Sequence, residues 1–141
     1  MKRSVGRRRY GIKNETHQSM MVNDVKKLAA ERDFNAIETG RFVTVVSELA
    51  SNIVKYAGRG FIDIEEVEEK GRSGFTVTAI DRGKGIADVD KALQDSFSTS
   101  GTLGLGLPGV KRISDEFFIE SESTKGVKVV STILREKKVR V

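Results

Sequence analysis

Cysteine is absent from this 141-residue chain. No disulfide, thiolate nucleophile or thiolate metal ligand is therefore available, and the expected compartment is the cytoplasm. A single histidine, His17, leaves no material for a histidine-based metal site or a Ser-His-Asp triad. No apolar run approaches the ~20 residues of a membrane span, and there is no signal-peptide core, so no membrane association is expected. Tryptophan is missing and proline occurs once. Acid is missing from residues 1–13, which hold Lys2, Arg3, Arg7, Arg8, Arg9 and Lys13. The net charge of +5 comes from this segment, because the remainder holds 19 basic and 20 acidic residues. Residues 1–8 read as a solvated, flexible basic tail. Nothing resembles an RNA-recognition motif, a zinc finger or a basic recognition helix, so a nucleic-acid partner is not expected.

What is present fits one globular domain over residues 9–135, with a charged tail over residues 136–141. Residues 9–13 form a short edge strand in this reading. Met20, Met21, Val25, Leu28 and Ala29 recur at helical spacing from Thr16 to Arg32, capped by Asn14 or Thr16. A longer helix is expected over Ile37–Ala57, with Phe42, Val45, Val46, Leu49 and Ile53 on one face. Glu48, Asn52 and Lys55 then form a polar stripe one turn apart beside that face. Phe61–Val67 and Phe75–Ile80 alternate as a hairpin around a turn at Gly71–Gly74. A short helix is expected over Asp88–Gln94, a helix over Gly109–Phe117 with Phe117 facing inward, and a second hairpin pairing Phe118–Glu122 with Val127–Leu134. Helices early and hairpins late predict an α+β two-layer sandwich: a mixed, mostly antiparallel sheet with helices on one face.

The densest signal is Phe97–Arg112, in which Gly101, Gly104, Gly106 and Gly109 lie among hydroxyls and lead into an amphipathic helix. Such a segment can close over phosphates. Gly104, Gly106 and Gly109 match G-x-G-x-x-G, but no strand precedes them, so the dinucleotide fingerprint does not apply. Val110 stands where a Walker A loop needs lysine, and the protein-kinase signatures H-R-D and D-F-G are missing.

Four motifs in order remain: Glu48 with Asn52 on a helix, Asp81-x-Gly83-x-Gly85 after a strand, Gly104-x-Gly106-Leu107 opening a helix, and Gly126 in a late hairpin. This set resembles the Bergerat-fold (GHKL) superfamily of gyrase, Hsp90, MutL and the histidine kinases. Phe97-Ser-Thr-Ser-Gly101, Leu107-Pro-Gly-Val-Lys-Arg112 and Asp115-Glu-Phe117 are similar to the stressosome branch (RsbT type) of the small serine kinases of bacterial partner switching.

The resemblance implies ATP and Mg2+ as cofactors. Asp81 would accept from the adenine amino group, with Gly83, Gly85 and Ile86 beside the base. Asn52 would hold the metal and Glu48 would be the general base. Lys55 is either a phosphate contact or a surface lysine. Ser98, Thr99, Ser100, Gly101, Gly104, Leu105, Gly106 and Leu107 would wrap the phosphates, and Gly126 would close the adenine site. Val127 stands where the family carries a threonine that supports the aspartate; a water or the Thr124 hydroxyl could substitute. The implied partners are a STAS-domain antagonist or stressosome scaffold as substrate and a PP2C-type phosphatase as effector. An anti-sigma factor that binds sigma, or a non-catalytic nucleotide-gated module, are the alternatives. His17 lacks the surroundings of a phosphorylated histidine and reads as a surface residue.

Overall fold

The structure is a computed structural model that describes residues 2–82, 106–122 and 126–136. Its elements run β1 (Lys2–Ile12), α1 (Glu15–Glu31), α2 (Ala36–Asn52), a π-helical turn (Ile53–Ala57), β2 (Gly60–Glu69), β3 (Arg72–Asp81), α3 (Gly106–Ile113), β4 (Glu116–Glu122) and β5 (Gly126–Leu134). The five strands form one sheet in the order β1-β2-β3-β5-β4. Every pairing among them is antiparallel.

Strand alternation gives the sheet two unlike faces. Ile62, Ile64, Phe75, Val77, Val129 and Ile133 point to the face that receives the helices. There they join Met21, Val25 and Leu28 of α1, Phe42, Val45, Val46 and Leu49 of α2, and Val110 of α3 in one buried cluster. Phe42 stacks on Phe75 with ring centroids 4.3 Å apart, and Phe34 meets Phe75 edge-on at 5.2 Å. Burying one such ring contributes roughly 2–3 kcal/mol. No helix of the described residues is long and apolar enough to cross a membrane.

The opposite face carries ion pairs between β1 and β2, and these correct the reading of residues 1–8. They are not a flexible tail but most of β1, paired with β2 from Lys2↔Glu69 to Ile12↔Gly60. The physical reason lies in β2, which supplies the acids that the N-terminal segment lacks. Asp63, with its side chain only 5% exposed, accepts from Arg7 Nη2 at 2.6 Å. It also takes a two-pronged pair of bonds from Arg9 at 2.7 and 2.9 Å. The Arg9 guanidinium also lies 5.0 Å from the Phe61 ring centroid. At the other end of the strand, Lys2 donates to Glu116 at 2.7 Å.

Further boundaries move for local reasons. Asn14, not Thr16, caps α1, accepting from the His17 N–H. The helix expected to continue to Ala57 is α-helical only to Asn52 and then widens into the π-turn, which the Gly58 N–H closes on the Ile53 carbonyl. The first hairpin turns at Lys70-Gly71, both at positive φ, and Gly74 lies inside β3. The helix expected to reach Phe117 ends at Ile113, and Phe117 belongs to β4. Glu136, expected to begin a tail, is tied back to the body through its N–H, which donates to Glu38. The short helix expected over Asp88–Gln94 and the tail beyond Glu136 lie outside the described residues.

Candidate functional site: the C-terminal ends of α2 and β3

Helix α2 begins with a closed capping box. The Asn35 side chain accepts from the Glu38 N–H at 2.8 Å, and the Glu38 carboxylate accepts from the Asn35 N–H at 2.8 Å. This fixes the start and therefore the rotational setting of the helix. With Phe42, Val45, Val46 and Leu49 buried, Glu48 and Asn52 emerge half-buried at the border of the core. The stripe expected from their spacing is present for these two residues.

Opposite Glu48 is the start of α3. The Gly106 N–H donates to Glu48 Oε2 at 3.3 Å. The first N–H groups of a helix have no partner within it and carry partial positive charge, so a carboxylate is favoured there. Leu107, Pro108 and Val110 bury the rest of this short helix against the core.

Asp81 closes the arrangement from the sheet side. It is the last residue of β3 and sits across from Gly60. A Cβ at residue 60 would lie 2.5 Å from the Ile80 carbonyl oxygen, 3.0 Å from Ile53 Cγ2 and 3.2 Å from Asp81 Cβ. Glycine there lets the end of α2 draw up to the end of β3. Gly126 is more constrained: its φ is +92°, and a Cβ would stand 2.1 Å from the Asp81 carbonyl oxygen. That approach brings the Val127 N–H within 3.3 Å of Asp81 Oδ1. Support that the sequence seemed to have lost with the missing threonine comes here from the main chain, so a side-chain hydroxyl at residue 127 is not needed for this contact. Thr124 lies outside the described residues.

Lys55 is placed differently. The π-turn winds more residues into each turn than an α-helix, so the side chain of Lys55 is rotated out of the line of Glu48 and Asn52. Its ammonium lies 5.1 Å from the centroid of the Tyr56 ring, and both side chains are exposed. Gly83, Gly85, Ile86, Ser98, Thr99, Ser100, Gly101, Gly104 and Leu105 lie outside the described residues. Of the expected set, the structure brings together Glu48 with Gly106, and Asp81 with Gly126. Leu107 packs behind the start of α3.

Sequence reasoning passed over Arg41. Its guanidinium donates to the Ile113 carbonyl from Nε at 3.0 Å and from Nη2 at 2.7 Å, and to Asp115 at 3.1 Å. Its only signal was a position seven residues before Glu48, two turns back along the same helix.

A carboxylate facing a helix N-terminus, an amide one turn away, and an aspartate at a strand end held by a glycine hairpin are thus set on an α+β sandwich. Residues 38–137 match the family described as histidine kinase-, DNA gyrase B-, and HSP90-like ATPases, and the chain belongs to that family. Within it, the chain is 46% identical over 104 residues to serine/threonine-protein kinase RsbT of Bacillus subtilis (strain 168), covering 74% of this chain and 78% of that protein. It is 30% identical over 125 residues to the anti-sigma F factor of Caldanaerobacter subterraneus subsp. tengcongensis, covering 86% and 87%. Among solved structures, a histidine kinase domain from the Erythrobacter litoralis EL346 blue-light activated histidine kinase superposes with a TM-score of 0.48 at 17% identity. That superposition covers 84% of this chain and 59% of that one.

Proposed function

We propose that this chain is an ATP- and magnesium-dependent protein serine/threonine kinase of bacterial partner switching. The observation that carries the reading is the Glu48 carboxylate against the Gly106 N–H at the start of α3. In this reading a base and a phosphate-receiving helix end stand face to face, in a chain 46% identical to a serine/threonine kinase.

In this reading Asp81, steadied by the Val127 N–H, accepts from the adenine amino group and selects adenine. The amides at the start of α3 receive the phosphates, which Ser98, Thr99, Ser100, Gly101, Gly104 and Leu105 would help to wrap, and Gly83, Gly85 and Ile86 would border the base. The Asn52 side chain has no hydrogen-bond partner among the described residues and ends in an oxygen suited to a hard cation. It would hold magnesium, which when bound supplies charge neutralisation beside the phosphates. Glu48 takes the proton from the substrate serine hydroxyl as its oxygen bonds to the γ-phosphorus and the bond to the ADP oxygen breaks. Transfer of this kind depends chiefly on positioning and on donors already aimed at the phosphoryl oxygens.

The protein substrate in this reading is a STAS-domain antagonist or stressosome scaffold. Release after transfer would free the kinase to engage a PP2C-type phosphatase. The test is incubation with γ-labelled ATP, magnesium and candidate STAS proteins, with Glu48→Gln as control. Label transferred by wild type and lost in the variant supports the reading; no transfer to any STAS protein, or equal transfer by the variant, refutes it.

The second reading, an anti-sigma factor that also phosphorylates its antagonist, is favoured by the 30% identity to an anti-sigma F factor over most of the chain. Retention of an RNA polymerase sigma subunit on the immobilised protein would support it.

A further inference from the structure

Helix α2 touches α3 at both ends, with opposite charges. Glu48 meets the N–H of Gly106 at the start of α3, and Arg41 meets the carbonyl of Ile113 at its end. The helix dipole places positive charge at the first site and negative charge at the second, so each contact has the favourable sign. The two are unequal. Glu48 offers one bond of 3.3 Å, whereas Arg41 gives two bonds to one carbonyl, a third to Asp115 and a fourth, at 3.4 Å, to Glu136. Asp115 is in turn fixed by the Leu134 N–H at 2.8 Å and faces Arg72 at 3.7 Å. The C-terminal end of α3 is thus clamped to α2 and β5. α3 has only eight residues, about 12 Å of rise, so a displacement at one end is passed to the other nearly undiminished.

We propose that Arg41 is a positioning residue for the nucleotide phosphates: by clamping the Ile113 carbonyl and Asp115, it holds the amides at the start of α3 at the distance from Glu48 that phosphate binding requires. The proposal rests on the kinase reading above. It needs Arg41 at the end of α2 remote from Asn52, and it predicts that Arg41 acts on the phosphate part of nucleotide affinity and leaves the adenine part alone. A merely structural ion pair would weaken both together, through the unfolded fraction, or neither.

The test compares ADP with adenosine, binding measured by calorimetry on the full chain with magnesium, for wild type, Arg41→Ala and Arg41→Lys, alongside thermal unfolding of each. Neither ligand requires a protein substrate. In wild type, ADP binds more tightly than adenosine. In Arg41→Ala the ratio of the two affinities falls about tenfold, as loss of a charge-assisted clamp implies, and adenosine affinity stays unchanged. Arg41→Lys keeps the cation but not the two-pronged geometry, and recovers part of the ratio. Faster hydrogen exchange at Leu107 and Val110 in Arg41→Ala, with exchange in α1 unaltered, locates the effect on α3. A ratio unchanged in both variants, or equal losses for ADP and adenosine, overturns the proposal with the kinase reading intact. A wild type that binds ADP no better than adenosine overturns both.

Discussion

At its N-terminal end α2 presents Glu38 and Arg41, and at its C-terminal end Glu48 and Asn52: on each side an anion and a strongly hydrogen-bonding partner, one turn apart. Glu38 is 3% exposed and accepts from the N–H groups of Asn35 and Glu136. Arg41 is spent on the Ile113 carbonyl, Asp115 and Glu136. At the other end, among the described residues, Glu48 has one 3.3 Å bond and the Asn52 amide has none. Chemistry needs groups whose hydrogen-bonding capacity is not already consumed, and such groups are placed accurately only when something else holds the element. One end of α2 has its hydrogen-bonding capacity consumed by the fold, and the other, where the proposed site lies, keeps capacity to spare.

The comparison is broken most directly at the open end. Glu48→Gln should lower phosphotransfer by about 10²–10⁴-fold, the usual contribution of a positioned base, in single-turnover assays, with thermal stability within a degree or two of wild type. A variant that unfolds instead would place Glu48 with the anchors. Asp81→Asn comes next. Loss of the charged acceptor should weaken ATP about 10–100-fold by titration, while the β3–β5 pairing persists in amide exchange because the Val127 N–H still finds an oxygen at residue 81.

At the anchored end the same kind of change should move stability. Glu38→Ala leaves the N–H groups of Asn35 and Glu136 without their acceptor. The expected cost is about 2 kcal/mol in urea unfolding, with turnover per folded molecule unchanged.

Much of this division was legible in the amino-acid sequence. The spacing of Phe42, Val45, Val46 and Leu49 fixed the inward face of α2, and with it the placing of Glu48 and Asn52. Glycines and alternation marked Asp81 at a strand end and Gly126 in a late hairpin, but that the two meet followed only from the family resemblance. Arg41 was not readable, because its role depends on where the C-terminus of α3 comes to rest 72 residues later, which no local period encodes. The Lys2–Arg8 part of β1 was missed for a related reason, while the edge strand expected over residues 9–13 is its second part. A run of arginines looks solvated until Asp63, more than fifty residues away, is known to lie beneath it. The charge that argued for a tail is what fastens the strand.

That fastening carries a pH signature. Hydrogen bonds from Arg9 hold the Asp63 carboxyl below its ordinary value, with Arg7 adding to the effect and burial opposing it. A carboxyl depressed in the folded state stabilises above the usual carboxylate range, and that contribution is lost as pH falls through the folded value. Asp63→Asn should therefore cost about 1–2 kcal/mol near neutrality and progressively less toward acid. Urea titrations of the two proteins should converge as pH drops. Parallel curves would show that Arg7 and Arg9 are not what holds β1.

The smallest effect is expected at Lys55, which spacing alone had aligned with Glu48 and Asn52. The π-turn after Asn52 takes it out of that line and leaves its ammonium over the exposed Tyr56 ring. An exposed cation–aromatic contact contributes about 0.5–1 kcal/mol, so Lys55→Ala should change stability by no more than that and ATP affinity by less than about threefold. π-bulges are also frequent at functional sites, and this π-turn stands directly after the amide proposed to hold magnesium. If Lys55→Ala instead weakened ATP tenfold while adenosine bound normally, the turn would have to rewind when phosphate arrives and swing Lys55 off the ring. The open end of α2 would then include one more residue than its free geometry displays.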